Sequence, residues 1–140
     1  MPAYTHEVTV TWGESDPFGL VYYPNILAWF NDAEHELYQQ IGHPVDQMIR
    51  DDRAAFVMGD VHFRFMGPAA CGDRVACTLQ LKEIRSRTLL WSCRAAHAQT
   101  GRAIAEGEST RIYARLSEGG SLTSIEIPDG LRAAISRLLP

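Results

Sequence analysis

The chain has 140 residues, of which 46% are hydrophobic and 21% are charged, and its formal net charge is −4. These values predict one globular domain over residues 1–140 with a core of its own. The negative charge disfavours general nucleic-acid binding, which depends on neutralising phosphates. No apolar run is long enough to cross a bilayer, so we expect no membrane partner.

The N-terminal residues and the cysteines both favour a cytoplasmic location. The sequence starts Met-Pro-Ala-Tyr-Thr-His-Glu, which lacks the basic and apolar segments of a signal peptide. The three cysteines, Cys71, Cys77 and Cys93, are odd in number and have no Cys-x-x-Cys spacing. This pattern argues against a disulfide framework or a structural zinc site. We therefore expect a protein of the reducing cytoplasm that contains no metal.

The hydrophobic pattern predicts a strand, a long helix, four further strands and a short C-terminal helix. The long helix extends from about Ile26 to Ile41, because its apolar residues recur at helical spacing. Short turns between the later strands favour antiparallel neighbours, and the long apolar helix is expected to pack on the concave face of their sheet. The other predicted elements are strands over 6–12, 55–65, 75–82, 88–98 and 103–116, a short helix or loop over 44–53, and a helix from Pro128. In the strand over 55–65, Val57, Val61, Phe63 and Phe65 are predicted to share one face.

The segment between the first strand and the long helix contains the strongest candidate for chemistry. Asp16 precedes Pro17, which restricts the aspartate to an extended conformation. Gly19 permits a sharp bend, and Pro24 is a signal for the start of a helix. A helix N-terminus offers unpaired N–H groups and a partial positive charge close to this carboxylate. The alternative is that Asp16 is a turn-forming or helix-capping residue.

The motif Asp16-Pro17-x-Gly19-x-x-Tyr22-Tyr23-Pro24-Asn25 resembles the signature of the 4-hydroxybenzoyl-CoA thioesterase family of the hotdog fold. The order and length of the predicted elements resemble that family from about residue 5 to residue 138. The resemblance implies an α+β hotdog fold, with an antiparallel sheet of about five strands wrapped around a long central helix.

The same resemblance implies roles for individual residues. Asp16 corresponds to the catalytic acid, which attacks the thioester carbonyl as a nucleophile or activates water. The backbone N–H of Tyr23 corresponds to the oxyanion donor, and such a donor contributes several kcal/mol to catalysis. Arg85 and Arg87, in a turn between two strands, correspond to a basic cluster that contacts the phosphates of coenzyme A. A solvated basic turn is the alternative for the two arginines.

The resemblance therefore implies an acyl-CoA thioesterase that releases a free acid and coenzyme A without a cofactor. Pro24 stands where many relatives that act on short acyl groups carry a histidine, so an aryl group such as 4-hydroxybenzoyl is favoured and a short acyl group remains possible. The family works as dimers or tetramers, and we expect a homotetramer, a dimer of dimers, with active sites at dimer interfaces.

Two alternative functions are considered. A hotdog module that binds acyl-CoA without cleaving it would need no carboxylate such as Asp16 beside the thioester. A hotdog dehydratase would need a histidine and an acid near the helix, and His35 has no evident partner in the sequence. Another hotdog branch uses a glutamate on the central helix, but for Glu34 and Glu36 we favour a solvated helix face.

Overall fold

One antiparallel sheet and one long helix form most of the fold in the computed structural model, which describes residues 3–140. The order of strands in the sheet is β1-β3-β4-β5-β2, and β6 pairs with β5. The strands are β1 (Ala3–Thr9), β2 (Ala54–Phe65), β3 (Arg74–Ile84), β4 (Thr88–His97), β5 (Ala103–Leu116) and β6 (Leu122–Ser124), and the helices are α1 (Pro24–Gln40), α2 (Val45–Asp52) and α3 (Asp129–Ser136). The predicted α+β architecture is confirmed.

The sixth strand, β6, was not expected, because three residues show no alternation. It lies between the last predicted strand and the C-terminal helix, where the sequence predicted no element, and it pairs with Ala114–Leu116 at the end of β5. Strand β4 begins at Thr88, opposite Ile112. The last residues of β5 therefore extend beyond β4, and β6 supplies hydrogen-bond partners along that stretch.

Helix α1 begins where the sequence signals indicated. Pro24 occupies the first helical position and Tyr23 is the N-cap, an arrangement in which the missing N–H of proline costs nothing. The helix buries one face against the sheet, where Phe30 lies 5.3 Å from Phe63 and Tyr38 lies 5.4 Å from Phe56, measured between ring centroids. Burying such side chains stabilises the fold by about 1.5–3 kcal/mol each.

A β-bulge in β2 changes which residues face α1. The pairing of β2 with β5 shifts register between Met58 and Asp60, so Gly59 is the extra residue. Phe56 before the bulge and Phe63 after it both contact aromatic residues of α1, although they differ by an odd number of positions. The prediction that Val57 shares a face with Phe63 is therefore wrong, because a bulge reverses the alternation.

Gly107 of β5 permits a close approach between β5 and β2. A Cβ atom at this position would clash with the backbone oxygen of His62. Because backbone cannot move aside as a side chain can, Gly107→Ala is expected to lower the free energy of unfolding by at least about 2 kcal/mol. Urea denaturation measures the effect, and Gly119→Ala is the matched control, since the nearest atom there lies 3.9 Å away. Equal stabilities of the two variants would contradict the prediction.

Candidate active site

Asp16 lies at the start of a tight turn that its own carboxylate stabilises. Its Oδ1 atom accepts hydrogen bonds from the N–H groups of Phe18 at 2.8 Å and Leu20 at 3.2 Å. Gly19, with a φ of 75°, makes the bend that brings these groups back to the aspartate. Within residues 3–140, Oδ2 has no hydrogen-bond partner. The turn-forming role considered above thus occupies one carboxylate oxygen and leaves the other available.

The turn is held firmly against the connection between β2 and β3. Val21 donates to the backbone oxygen of Ala69 at 2.8 Å, and Cys71 donates to that of Gly19 at 3.0 Å. Within the turn, the Asp16 N–H donates to the Leu20 oxygen at 2.7 Å. Backbone hydrogen bonds therefore fix the loop on both sides of its bend.

The N-terminus of α1 presents one free donor beside this turn. Three backbone N–H groups in this region donate to backbone oxygens. The bonds run from Tyr22 to Glu14 at 2.8 Å, from Asn25 to Tyr22 at 3.0 Å and from Ile26 to Tyr23 at 3.1 Å. Pro24 has no N–H group. In the described part of the chain, the Tyr23 N–H has no acceptor, so it is the donor that remains for a ligand at this helix end.

Glu14 connects the loop to the helix, and sequence reasoning missed it. Its Oε2 accepts from the indole N–H of Trp29 at 2.7 Å, and its Oε1 accepts from the N–H of Thr11 at 3.0 Å. Its backbone oxygen also accepts from the Asn25 side chain at 3.0 Å. Burial opposes ionisation, but the hydrogen bonds from Thr11 and Trp29 lower the pKa of Glu14. The spacing Thr11-x-x-Glu14, a capping-box pattern, was the available signal.

The aromatic residues of this region remain open to solvent in a single chain. Phe18 is 87% exposed, and Tyr22 and Tyr23 are 54% and 58% exposed. The ring of Tyr23 lies 5.6 Å from that of Phe65 at the end of β2, so the exposed rings extend to the edge of the sheet. We call Tyr22, Tyr23 and Phe65 the aromatic patch. Exposed apolar patches of this kind mark interaction sites.

Arg85 and Arg87 lie far from Asp16 within one chain. Thr9, shortly before the loop, pairs with Arg74 at the start of β3, whereas the two arginines follow the end of β3. The length of β3 separates these ends by roughly 33 Å. The structure therefore does not bring the two predicted groups together in one protomer.

The structure adds a third arginine to the turn between β3 and β4. Arg132 of α3 donates to the backbone oxygens of Arg85 and Ser86 at 2.7 and 2.8 Å. Arg85 also pairs with Glu83 at 2.9 Å, and Arg87 donates to the Ser124 oxygen at 2.8 Å. We call Arg85, Arg87 and Arg132 the arginine turn. Arg132 was missed because its α3 position shows no link to this turn in the sequence.

The expectation that Glu34 belongs to a solvated helix face is wrong. Its side chain is buried, 4% exposed, and its Oε1 accepts from Nε of Arg111 at 3.0 Å. The hydroxyl of Tyr38 donates to Oε2, and Nη2 of Arg111 donates to the Asn31 side chain at 3.0 Å. Desolvation raises the pKa of Glu34 even though Arg111 opposes the shift. We call these four residues the buried polar cluster.

Glu36 is also held by other residues rather than simply solvated. The hydroxyl of Tyr4 donates to its Oε2 at 2.8 Å, and Nδ1 of His6 lies 2.8 Å from the same atom. The exposed His35 contacts the backbone oxygen of Asn31 in its own helix. Glu36 thus links α1 to β1.

The remaining candidates are structural. Cys77 and Cys93 are buried, as expected, and burial raises the pKa of each thiol to about 12.

Within residues 3–140, no group of three or more histidine, cysteine or acidic residues is placed to hold a metal. Over the same range, none of the helices combines the length and the apolar character that a membrane span requires.

An antiparallel sheet packed around one long helix is the architecture of the hotdog class of proteins, and this chain has it. The profile of the thioesterase-like superfamily matches residues 10–135, and the chain belongs to that family. The resemblance to 4-hydroxybenzoyl-CoA thioesterases is thereby confirmed.

Three known proteins illustrate the relationship. The 1,4-dihydroxy-2-naphthoyl-CoA hydrolase of Thermosynechococcus vestitus (strain NIES-2133 / IAM M-273 / BP-1) is 27% identical over 78 residues, which are 56% of this chain and 53% of that protein. The match thus spans about half the length of this relative. The dynemicin thioesterase has a TM-score of 0.86 at 25% identity and covers 99% of this chain and 98% of its own. The 4-hydroxybenzoyl CoA thioesterase of Pseudomonas sp. strain CBS-3 shares the fold, with a TM-score of 0.86, 20% identity and coverage of 94% and 98%.

Proposed function

We propose that this protein is an acyl-CoA thioesterase, in which Asp16 is the nucleophile or general base and the Tyr23 N–H is the oxyanion donor. The observation that carries the proposal is that an acid and a backbone donor on one hydrogen-bonded loop are both without partners in the described part of the chain. Oδ2 of Asp16 and the Tyr23 N–H both lack partners among residues 3–140, while the groups around them are hydrogen-bonded. Preorganised groups of this kind lower a barrier without reorganising during the reaction.

The proposed reaction uses two groups of the protein, Oδ2 of Asp16 and the N–H of Tyr23. The carbonyl oxygen of the thioester accepts from Tyr23, and Oδ2 of Asp16 either bonds to the carbonyl carbon or removes a proton from an attacking water. The C–S bond then breaks, and the thiolate of coenzyme A leaves. A thiol has a pKa of about 8.5, so the leaving sulfur needs no general acid. In the nucleophilic route, water hydrolyses the mixed anhydride and restores the aspartate.

The favoured acyl group is an aryl group such as 4-hydroxybenzoyl, with a short acyl group as the alternative. The aromatic patch supports this choice because its rings offer faces on which an aryl group can stack. Two of the three proteins named above, the 1,4-dihydroxy-2-naphthoyl-CoA hydrolase and the 4-hydroxybenzoyl CoA thioesterase, also support it.

A panel of aryl, short-chain and long-chain CoA esters tests the proposal. Release of free thiol from at least one ester is the expected result, with the aryl esters giving the highest kcat/KM. Tight binding of these esters without any thiol release would favour the non-catalytic binding module instead.

We further propose that the arginine turn binds the phosphates of coenzyme A for the active site of a partner subunit. The arginine turn lies roughly 33 Å along β3 from the Asp16 loop of the same chain, which argues against its binding the phosphates of a substrate held at that loop. Strand β2 is an edge strand, and with the aromatic patch it forms a surface suited to a second copy. This supports a homotetramer, a dimer of dimers, with active sites at dimer interfaces.

Removing Arg85 and Arg87 from the arginine turn should weaken binding of the nucleotide part of the substrate. Arg85→Ala with Arg87→Ala is expected to raise KM for CoA esters about tenfold, while KM for the matching pantetheine thioester stays unchanged. The surface variant Arg50→Ala, which removes the Asp46 ion pair, is the control. Equal changes in KM for both substrates would show that the turn is merely solvated.

Mixing variants tests whether two chains form each site. An Asp16→Asn chain and an Arg85→Ala, Arg87→Ala chain, refolded together, should form one complete site per mixed dimer. The mixture is then expected to recover the low KM of the wild type at part of its kcat. If no low-KM activity returns while mixed dimers form, the arginines do not act across the interface.

Glu14 is expected to act as a positioning residue. Glu14→Ala removes the bonds to Thr11 and Trp29 and should lower kcat about 10²-fold through misplacement of the loop, with little change in KM. Glu14→Gln, which can keep one acceptor oxygen, should recover part of kcat. A loss of stability with an unchanged kcat in the folded fraction would indicate a purely structural role.

A further inference from the structure

The connection between β2 and β3 contains a four-residue turn, from Ala70 to Asp73, that lies beside the Asp16 loop. A hydrogen bond from the Asp73 N–H to the Ala70 oxygen, at 2.9 Å, closes its backbone. Gly72 has a φ of 92°, which is the conformation that a type II turn requires at its third residue. The sequence Ala-Cys-Gly-Asp thus favours the shape that this turn has.

The side chain of Asp73 closes the same turn a second time. Its Oδ2 accepts from the Ala70 N–H at 2.9 Å, so both backbone polar groups of Ala70 are bonded to Asp73. The side chain of Asp73 is 31% exposed, and its Oδ1 faces Nε2 of His97 at 3.8 Å, which is too long for a hydrogen bond. Asp73 therefore acts on Ala70 more directly than on the histidine.

Ala70 lies at the centre of the contact with the Asp16 loop. The two backbone hydrogen bonds that join this connection to the loop involve the residues on either side of Ala70. Ala70 itself pairs with Leu20 as an isolated antiparallel bridge, and Leu20 donates to Oδ1 of Asp16 at 3.2 Å. A chain of contacts thus runs from Asp73 through Ala70 and Leu20 to the carboxylate of Asp16.

The other side of the 70–73 turn is bonded to the end of β1. Val10, the residue after β1, donates to the Asp73 oxygen at 2.9 Å and accepts from the Gly72 N–H at 2.8 Å. The side chain of Val10 is buried in the core. The turn therefore stands between a fixed part of the core and the Asp16 loop, so its shape decides where the Asp16 carboxylate lies.

We propose that Asp73 is a positioning residue for thioester hydrolysis, which acts through Ala70 and Leu20 to hold the Asp16 carboxylate in place. This rests on the proposed thioesterase function and adds to it a residue that does not touch the substrate. The property of Asp73 that matters is an acceptor oxygen at the position of Oδ2, since its charge has no hydrogen-bonded cation. A misplacement of about 1 Å at a reacting group can cost 10²-fold in rate, so a change in this turn should be measurable in kcat.

Two substitutions separate the position of the acceptor from its charge. Asp73→Asn keeps an acceptor oxygen at the same distance from the backbone and loses the charge, whereas Asp73→Glu keeps the charge and moves the oxygens outward by one methylene. Asp73→Asn is expected to keep kcat within about threefold of the wild type, and Asp73→Glu to lower kcat at least about tenfold, both with little change in KM. His97→Gln, the control for the facing histidine, should keep the wild-type kcat.

Amide hydrogen exchange measured by NMR gives a readout that does not depend on activity. The N–H groups of Leu20 and Val21 are hydrogen-bonded across this contact, so they should exchange faster in Asp73→Glu than in Asp73→Asn or the wild type. If Asp73→Glu does not fold, Asp73→Ala takes its place, because the backbone bond still closes the turn there.

The outcomes distinguish this inference from the proposed function. Asp73→Glu or Asp73→Ala that is less stable but keeps the wild-type kcat in the folded fraction has lost a purely structural bond, and this overturns the inference alone. A loss of kcat in Asp73→Asn as large as in Asp73→Glu also overturns it, because the charge would then be what matters. A wild-type protein that hydrolyses no CoA ester overturns the proposed function and this inference with it.

Discussion

Replacing Asp16 with asparagine is expected to lower kcat for CoA thioesters by about 10²–10⁴-fold. Asparagine retains an Oδ1 atom that can accept from Phe18 and Leu20, as the aspartate does. Its amide nitrogen, in place of Oδ2, can neither attack a carbonyl nor take a proton from water. The variant should therefore keep the turn and lose the chemistry.

The comparison with Asp16→Ala separates the two roles of this side chain. Alanine removes the bonds to Phe18 and Leu20 as well, so it should lose the activity and also about 1 kcal/mol or more of stability. Steady-state kinetics and thermal unfolding of both variants provide the measurement. Wild-type turnover by Asp16→Asn would remove Asp16 from the proposed mechanism.

Replacing Arg111 with methionine is expected to lower the free energy of unfolding by about 3–5 kcal/mol, because Glu34 would be left buried without its cation. Adding Glu34→Leu should recover most of that loss, since the paired replacement leaves no uncompensated charge. Urea denaturation of the wild type, the two single variants and the paired variant forms a double-mutant cycle. If the stability losses of the two single variants add up to the loss of the paired variant, Glu34 and Arg111 are not coupled.

The stability of Arg111→Met should also depend on pH. Desolvation raises the pKa of Glu34 in the folded protein, and loss of the cation should raise it further. A carboxyl whose folded pKa exceeds its unfolded pKa stabilises the fold at low pH, and that contribution is lost as pH rises through the folded pKa. The deficit relative to the wild type should therefore shrink in mildly acidic buffer. A deficit that does not change with pH would contradict this account.

The long helix and its loop were predictable because their signals are local. Pro24 and the apolar spacing after it fixed the start and face of α1, and Gly19 marked the bend that the structure shows. The motif around Asp16 then led to the correct family. Each of these features depends on residues within a few positions of one another, so one sequence is enough to detect them.

The errors concern features that depend on distant partners or on single residues. The predicted face of Val57 was wrong because the alternation was continued through Gly59, although a lone glycine inside a strand is a signal for a bulge. Glu34 was taken as solvated because its partner Arg111 lies 77 residues away, although the spacing of Phe30, Glu34 and Tyr38 placed the glutamate on the buried face. Pairings over such distances are decided by the register of the sheet, which periodicity does not contain.

The hydrogen bonds to one oxygen of Asp16 have a consequence for isotope exchange. Phe18 and Leu20 donate to Oδ1, so a rotation that interchanges the two oxygens of the carboxylate must break both hydrogen bonds. If water labelled with heavy oxygen attacks an aspartyl anhydride at the Asp16 carbon, the label enters at the Oδ2 position alone. After many turnovers, mass spectrometry of the peptide should show one heavy oxygen in Asp16 and never two, whereas a freely rotating carboxylate would exchange both.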